Sequence, residues 1–292
     1  MIPIVLGALA VAASAAILNR RRVQRSVEAA YESRFPRSDD GIAAGADGFV
    51  LKGSNGKRLL LLHGSGDTPQ SLRYLADRLN AAGYTVHAPL LPGHGRSPRA
   101  FAMATASEYH AAASAALVAL EPSRHWVSVV GLSMGGALAA RIVTENAGVR
   151  ALVLLAPYVI PPRSVRVVRG TSWLWRGVAP YLLGRGDASV RDPAASDASL
   201  AYGSFSAGAL EALAATADAG YRALPALRLP VLVINSAEDN RIPRALAEQA
   251  LRAIATPMEH HSLEGCGHVI TVDYCKDEVV SLVEAFLARH AG

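Results

Sequence analysis

VVGLSMGGALAA, residues 129–140, sets a serine among small residues, directly after an apolar run and directly before an alanine-rich stretch. A plain turn is the simplest explanation, because Gly and Ser are the usual residues where a chain bends tightly. The flanks argue for more. Trp126 to Val130 reads as a buried strand and the residues after Ser133 as a helix, so Gly131-Leu132-Ser133-Met134-Gly135 fits the G-x-S-x-G elbow that raises a nucleophile above a sheet edge. Gly131 and Gly135 would let the backbone turn sharply, and the helix start at Ser133 offers its positive end to developing negative charge.

Outward from the elbow, short apolar runs alternate with longer helical patterns from residue 49 onward. This is the βαβ pattern of a mostly parallel sheet covered on both faces, an α/β fold. Strands are expected at 49–52, 58–62, 85–87, 126–130, 151–155, 231–235 and 258–262. Helices are expected to begin near Pro69, Ser107, Ser133, Pro243 and Tyr274, the two prolines suiting a first helical turn. Between Leu155 and Val231 the alternation breaks. Residues 157–205 are expected to form an inserted helical cap, with a helix near 207–217 returning to a core built from 48–156 and 206–292.

A serine needs a base to take its proton and a carboxylate to hold that base in the right tautomer. Nine histidines compete. His268 is the candidate, because Gly265-Cys266-Gly267-His268-Val269 forms a loop after the last strand, where a side chain reaches the carboxyl edge of the sheet. His63 and His94 sit in glycine-rich loops. His110, His125, His260, His261 and His290 fall on helices or strand ends and suit packing or surface roles. For the acid, Ser236-Ala237-Glu238-Asp239-Asn240-Arg241 follows the strand 231–235; Asp239 is the choice and Glu238 the neighbour that competes with it. The order nucleophile, acid, histidine is the one expected for this elbow. An oxyanion site needs two N–H donors. Met134, next to the nucleophile, supplies one, and Ser65 in Leu61-Leu62-His63-Gly64-Ser65-Gly66-Asp67 the other, with Gly64 permitting the turn. A ligand-free glycine-rich turn is the alternative for that loop.

Composition bounds the rest. At 292 residues with 51% hydrophobic and 18% charged residues, the chain is ordinary globular material and large enough for one principal core. The net charge of +5 is modest, and without a recognition motif or many aromatics it gives no case for nucleic acid. Cys266 and Cys275 are the two cysteines, and two free thiols in a reducing compartment are the expected state. The uncharged run Ile2 to Leu18 would extend about 26 Å as a helix, near the lower limit for a bilayer span. Asn19-Arg20-Arg21-Arg22 follows it. Residues 1–18 are therefore expected to be an uncleaved anchor with the catalytic body on the cytoplasmic side; a cleaved signal, hence export, or an amphipathic extension are the alternatives. Residues 19–47 read as a helix and linker.

These stretches together resemble the α/β-hydrolase superfamily, and within it bacterial carboxylesterases and monoacylglycerol lipases. The resemblance runs from about residue 45 to the end, the cap apart, on LLLLHGSG (59–66), GYTVHAPLLPGHGRSP (83–98), VVGLSMGG (129–136), AEDNRIP (237–243) and GCGHVITVDYCKDEV (265–279). It implies a carboxylic ester hydrolase acting through an acyl-enzyme, without metal or organic cofactor, with Ser133, Asp239 and His268 as the triad and the Ser65 and Met134 amides as oxyanion donors. Two residues depart from the pattern: Ser65, where relatives often carry an aromatic or aliphatic residue, and Ser236, where they often carry glycine. The Pro92-Gly93-His94-Gly95-Arg96-Ser97 loop is expected to be a structural turn.

In the cap, Arg163, Arg166 and Arg169 recur every third residue and Trp173 and Trp175 follow. Such a surface suits a membrane interface; packing of the aromatics with solvated arginines is the equal alternative. The expected substrate is a medium- or long-chain monoester such as a monoacylglycerol. Thioesterase, lysophospholipase and acyltransferase remain open, as does a non-catalytic lipid-binding role; a dehalogenase is disfavoured because the elbow holds a serine instead of an aspartate.

Overall fold

The computed structural model describes residues 2–183 and 189–291, with side chains for 14–182 and 189–291. Its first element is one long helix, α1 (Ile2–Arg34). There follow β1 (Phe49–Leu51), β2 (Arg58–Leu62), α2 (Arg73–Ala81) behind a 3-10 turn at Pro69–Leu72, β3 (Thr85–Ala88), α3 (Pro98–Met103), α4 (Ala106–Val118), β4 (Val127–Leu132) and α5 (Met134–Thr144). Beyond β5 (Val149–Leu155) come α6 (Arg163–Gly170), α7 (Ser172–Trp175), β6 (Leu182–Leu183), α8 (Pro193–Ala198) and β7 (Ser204–Phe205). The chain ends with α9 (Ala207–Ala223), β8 (Val231–Ser236), α10 (Arg244–Arg252), β9 (Met258–Leu263) and α11 (Lys276–His290).

Seven strands form one sheet in the order β1-β3-β2-β4-β5-β8-β9. Within it only β1 runs antiparallel to its neighbour; β3, β2, β4, β5, β8 and β9 pair parallel. Side chains alternate across a strand, so Leu60 and Leu62 join the apolar layer under α4, α5 and α9 while Leu59 and Leu61 join the layer under α2 and α11. Because both faces are covered, β4 is buried at every position, which is why it reads as a continuous apolar run. This strand extends to Leu132, past the expected end at residue 130, and so delivers Ser133 directly at the sheet edge.

Three short elements escaped sequence patterning. α3 is a short helix opened by a Ser97 cap that accepts from the Ala100 amide, and β6 and β7 form a two-residue antiparallel pair within the cap interval. Short segments like these carry too few residues for a period to show. At the amino end, α1 runs through the boundary expected near residue 18. Its last turns dock on the body: Tyr31 stacks on Tyr202 at 4.8 Å, and the Tyr181 hydroxyl donates to Glu28 at 3.2 Å. Among the described residues no helix is long and apolar enough to cross a membrane. The side chains of residues 1–13, which carry most of the expected anchor, lie outside the described ones.

The cysteine expectation is corrected. Cys266 and Cys275 form a disulfide, their Cα atoms 5.8 Å apart across a sequence separation of 9. The intervening residues fold back between β9 and α11 and bring the two ends together, which spacing alone does not report. Native protein should therefore titrate no free thiol among these two and release two on denaturation with reductant. Closing a loop of this size typically contributes about 2–3 kcal/mol, so reduction should lower the melting temperature; two reactive thiols in the untreated protein would contradict the bridge.

Candidate active site

Ser133 sits at φ 55°, ψ −116°, a backbone conformation strained for any residue but glycine. The turn is tight enough to require both elbow glycines: a Cβ on Gly131 would lie 2.3 Å from the Gly135 carbonyl oxygen, and one on Gly135 would lie 2.1 Å from that of Leu62. The Ser133 amide donates to the Leu155 carbonyl at 2.9 Å, and its carbonyl accepts from the Tyr158 amide at 3.0 Å. Strain is thus held in place by the neighbouring strand.

Three side chains distant in sequence converge there. His268 Nε2 lies 2.8 Å from Ser133 Oγ, and His268 Nδ1 lies 2.7 Å from Asp239 Oδ2. Asp239 Oδ1 accepts the backbone amides of Arg241 at 2.7 Å and Ile242 at 2.8 Å. Burial alone would push this carboxyl up, but the His268 charge and hydrogen bond and the two amides outweigh it and hold the carboxyl below its ordinary range. It therefore stays ionised beside the imidazole. Glu238 faces elsewhere: it pairs with Arg191 and accepts the Gly265 amide at 3.2 Å. The competition between the two acids is thereby resolved geometrically.

The histidine loop is held from several sides, by residues that sequence patterning did not single out. Asp273 is the centre. Its carboxylate accepts the amides of Gly267 at 2.7 Å, Arg191 at 2.8 Å, Tyr274 at 2.9 Å and Asp192 at 3.0 Å. Burial opposes ionisation there, yet the four N–H groups hold the carboxyl low. One side chain thus ties the His268 loop to residues 191 and 192. Ser236, the departure from the family pattern, donates to the Cys266 carbonyl at 2.6 Å and accepts the Glu238 amide at 3.0 Å. It joins the acid loop to the histidine loop. A carboxylate five residues beyond His268 is visible in the sequence, but nothing local marks it as a hub.

Ser65 and Gly64 line the same cavity as Ser133 and His268, and Met134 opens α5 beside them. The loop after β2 is buttressed by two fully buried histidines whose rings pack edge to face at 4.9 Å. His94 Nε2 accepts the Gly66 amide at 3.1 Å, and His63 Nε2 accepts the Leu91 amide at 3.1 Å. Each Nδ1 then carries the proton, donating to Pro92 and Gly64 carbonyls respectively. Desolvation lowers both rings, His94 to about 4, so they stay neutral and keep their acceptor nitrogens. The PGHG loop is a brace for the loop after β2.

The cavity measures about 340 Å³, within the range of small-molecule sites. Its wall is largely apolar, with Leu132, Phe205, Leu213, Val269 and Val272 among the lining residues. Asp67 is a polar exception. Its carboxylate accepts from the Thr68 amide at 2.7 Å and the Ser71 hydroxyl at 2.5 Å, yet desolvation raises it to about 6. A carboxyl raised in the folded state binds more protons there than in the unfolded chain between about pH 4 and pH 6, so its ionisation lowers stability as pH rises through that window. Asp67→Asn is expected to gain up to about 3 kcal/mol above pH 6 and nothing near pH 4; melting curves at pH 4 and pH 8 that shift equally would refute this.

Sheet order, strained elbow and converging loops are those of the α/β-hydrolase fold, and they place the chain in the class of serine ester hydrolases. The family model described as "Serine aminopeptidase, S33" (Hydrolase_4) matches residues 53–274, and the chain belongs to that family. A thermostable monoacylglycerol lipase of Bacillus sp. (strain H-257) is 28% identical over 253 residues, 86% of this chain and 98% of that one. A solved structure from work on LipS and LipT, two metagenome-derived lipolytic enzymes, is 28% identical with a TM-score of 0.78, covering 85% of this chain and 100% of that one. The monoacylglycerol lipase of Paleococcus ferrophilus shares the fold at 18% identity, with a TM-score of 0.70 and coverage of 82% and 98%.

Proposed function

We propose that this enzyme hydrolyses medium- or long-chain monoesters such as monoacylglycerols through an acyl-enzyme on Ser133. The observation that carries this is the hydrogen-bonded series Ser133, His268, Asp239 opening into a mainly apolar cavity. Ser133 Oγ attacks the ester carbonyl carbon as His268 Nε2 takes its proton. The carbonyl oxygen becomes the oxyanion, received by the Ser65 and Met134 amides. Collapse of the adduct breaks the acyl–oxygen bond, and His268 returns the proton to the leaving alcohol. Water, deprotonated by the same nitrogen, then releases the acid and restores Ser133.

Lipid esters are favoured over small soluble ones by the cavity wall, by the Bacillus relative's named activity, and by the cap surface. Within the interval proposed as the cap, 157–205, the two tryptophans differ. Trp175 donates its indole N–H to the Val168 carbonyl at 3.1 Å, whereas Trp173 is 68% exposed beside Leu174 at 59%. Arg169 is committed to Glu211 on α9 through contacts of 2.6 and 2.7 Å. Arg163, Arg166 and Arg176 are exposed in the same stretch of chain as Trp173, a combination suited to a lipid surface. The Cys266–Cys275 bridge supports the exported alternative for the catalytic body, since disulfides persist in oxidising compartments.

The test is hydrolysis of p-nitrophenyl esters from acetate to palmitate, followed by monoacylglycerols, acyl-CoA and lysophospholipid. An optimum at medium or long chains with turnover of monoacylglycerol is expected. Activity confined to acetate and butyrate, or to thioesters, would overturn the substrate assignment.

A further inference from the structure

We propose that the side-chain hydroxyl of Ser65 is a third hydrogen-bond donor to the oxyanion, beside the backbone amides of Ser65 and Met134. This rests on Ser133 being the nucleophile. The inference begins with an accounting of polar groups in the loop after β2. The Gly66 amide is taken by His94, the Gly64 carbonyl by His63, and the Asp67 carboxylate by Thr68 and Ser71. Ser65 Oγ is buried and has no hydrogen-bond partner among the described residues. Thr68 Oγ1 shares that condition but does not line the cavity; Ser65 and Tyr158 both line it with such a hydroxyl, and of these two Ser65 is the one on the loop after β2.

A buried hydroxyl without a partner is a cost to the free enzyme. It is repaid when an acceptor arrives. The loop lies hard against the nucleophile, since a Cβ on Gly64 would come within 3.3 Å of Ser133 Cβ. An acceptor held about 2.9 Å from the Ser65 amide nitrogen is also within reach of the same residue's Oγ in a gauche rotamer, because one bond separates the hydroxyl from its Cβ. The oxyanion is such an acceptor, and it occupies a position that the ground-state carbonyl oxygen does not. The hydroxyl's interaction is therefore made in the transition state and should act on kcat, leaving KM nearly unaltered.

The experiment compares Ser65→Ala with the wild type and with Ser133→Ala on a medium-chain p-nitrophenyl ester. Ser65→Ala is expected to lower kcat by about 10- to 100-fold with KM within about twofold. An alkylboronic acid, which forms a tetrahedral adduct with a negative oxygen, should lose affinity by a similar factor. The melting temperature should stay level or rise, because an orphaned polar atom is removed. Unchanged kcat, or a shifted chain-length profile with undiminished kcat and boronate affinity, would overturn the proposal and leave Ser65 as pocket wall. Turnover surviving in Ser133→Ala would instead overturn the nucleophile assignment on which it rests.

Discussion

Ser133→Ala is expected to abolish ester turnover, with a fall in kcat on the order of 10⁶-fold, while the melting temperature stays within about two degrees of wild type. The size follows from the loss of the covalent route itself: without Oγ there is no acyl-enzyme, and the remaining oxyanion donors act on water alone. The small stability effect follows from the backbone. Alanine at φ 55° bears the same strain as serine, and the bonds that hold the elbow, Ser133 N to Leu155 O and Tyr158 N to Ser133 O, are main-chain bonds that the substitution leaves in place. A fluorophosphonate should label wild type and not the variant. Ester hydrolysis undiminished in a folded Ser133→Ala protein would remove the function proposed here.

Asp239→Asn should lower kcat by about 10⁴-fold, a tautomer effect known from serine proteases. The amide oxygen of asparagine can still accept from Arg241 and Ile242, so the loop keeps its shape. Its NH₂ group then faces His268 Nδ1, favouring the imidazole that carries its proton on Nε2, where it cannot accept from Ser133. Glu238→Gln is the informative partner. Glu238 is bound to Arg191 and the Gly265 amide, outside the proton path, and its substitution should change kcat by less than about threefold. Equal losses in the two variants would mean that the carboxylates act only by shaping the loop.

Much of this site was legible from residues because its parts are local. The elbow is five consecutive residues whose small members are demanded by a backbone crossing, and the distances at Gly131 and Gly135 show that crossing. The strand positions followed from apolar runs that two covered faces impose. The loops bearing Asp239 and His268 were found because each follows a strand and so must emerge at the carboxyl edge. What stayed hidden depends on where separate loops lie relative to each other. Asp273 gathers amides from residues 191, 192, 267 and 274. Its role exists only once residues 191–192 and the histidine loop are adjacent.

The same division runs through the whole molecule. The sequence alone determined the α/β alternation and the strand–elbow–helix stretch around Ser133, because each is written in periodicity or in a short contiguous motif. The tertiary structure alone decided that Asp239 rather than Glu238 meets His268, that Cys266 and Cys275 are bridged, that His63 and His94 brace the loop after β2, and that Ser65 keeps a buried hydroxyl without a partner among the described residues. Those are contacts between groups brought together by packing, and their energies depend on distance and burial, which a one-dimensional pattern does not carry.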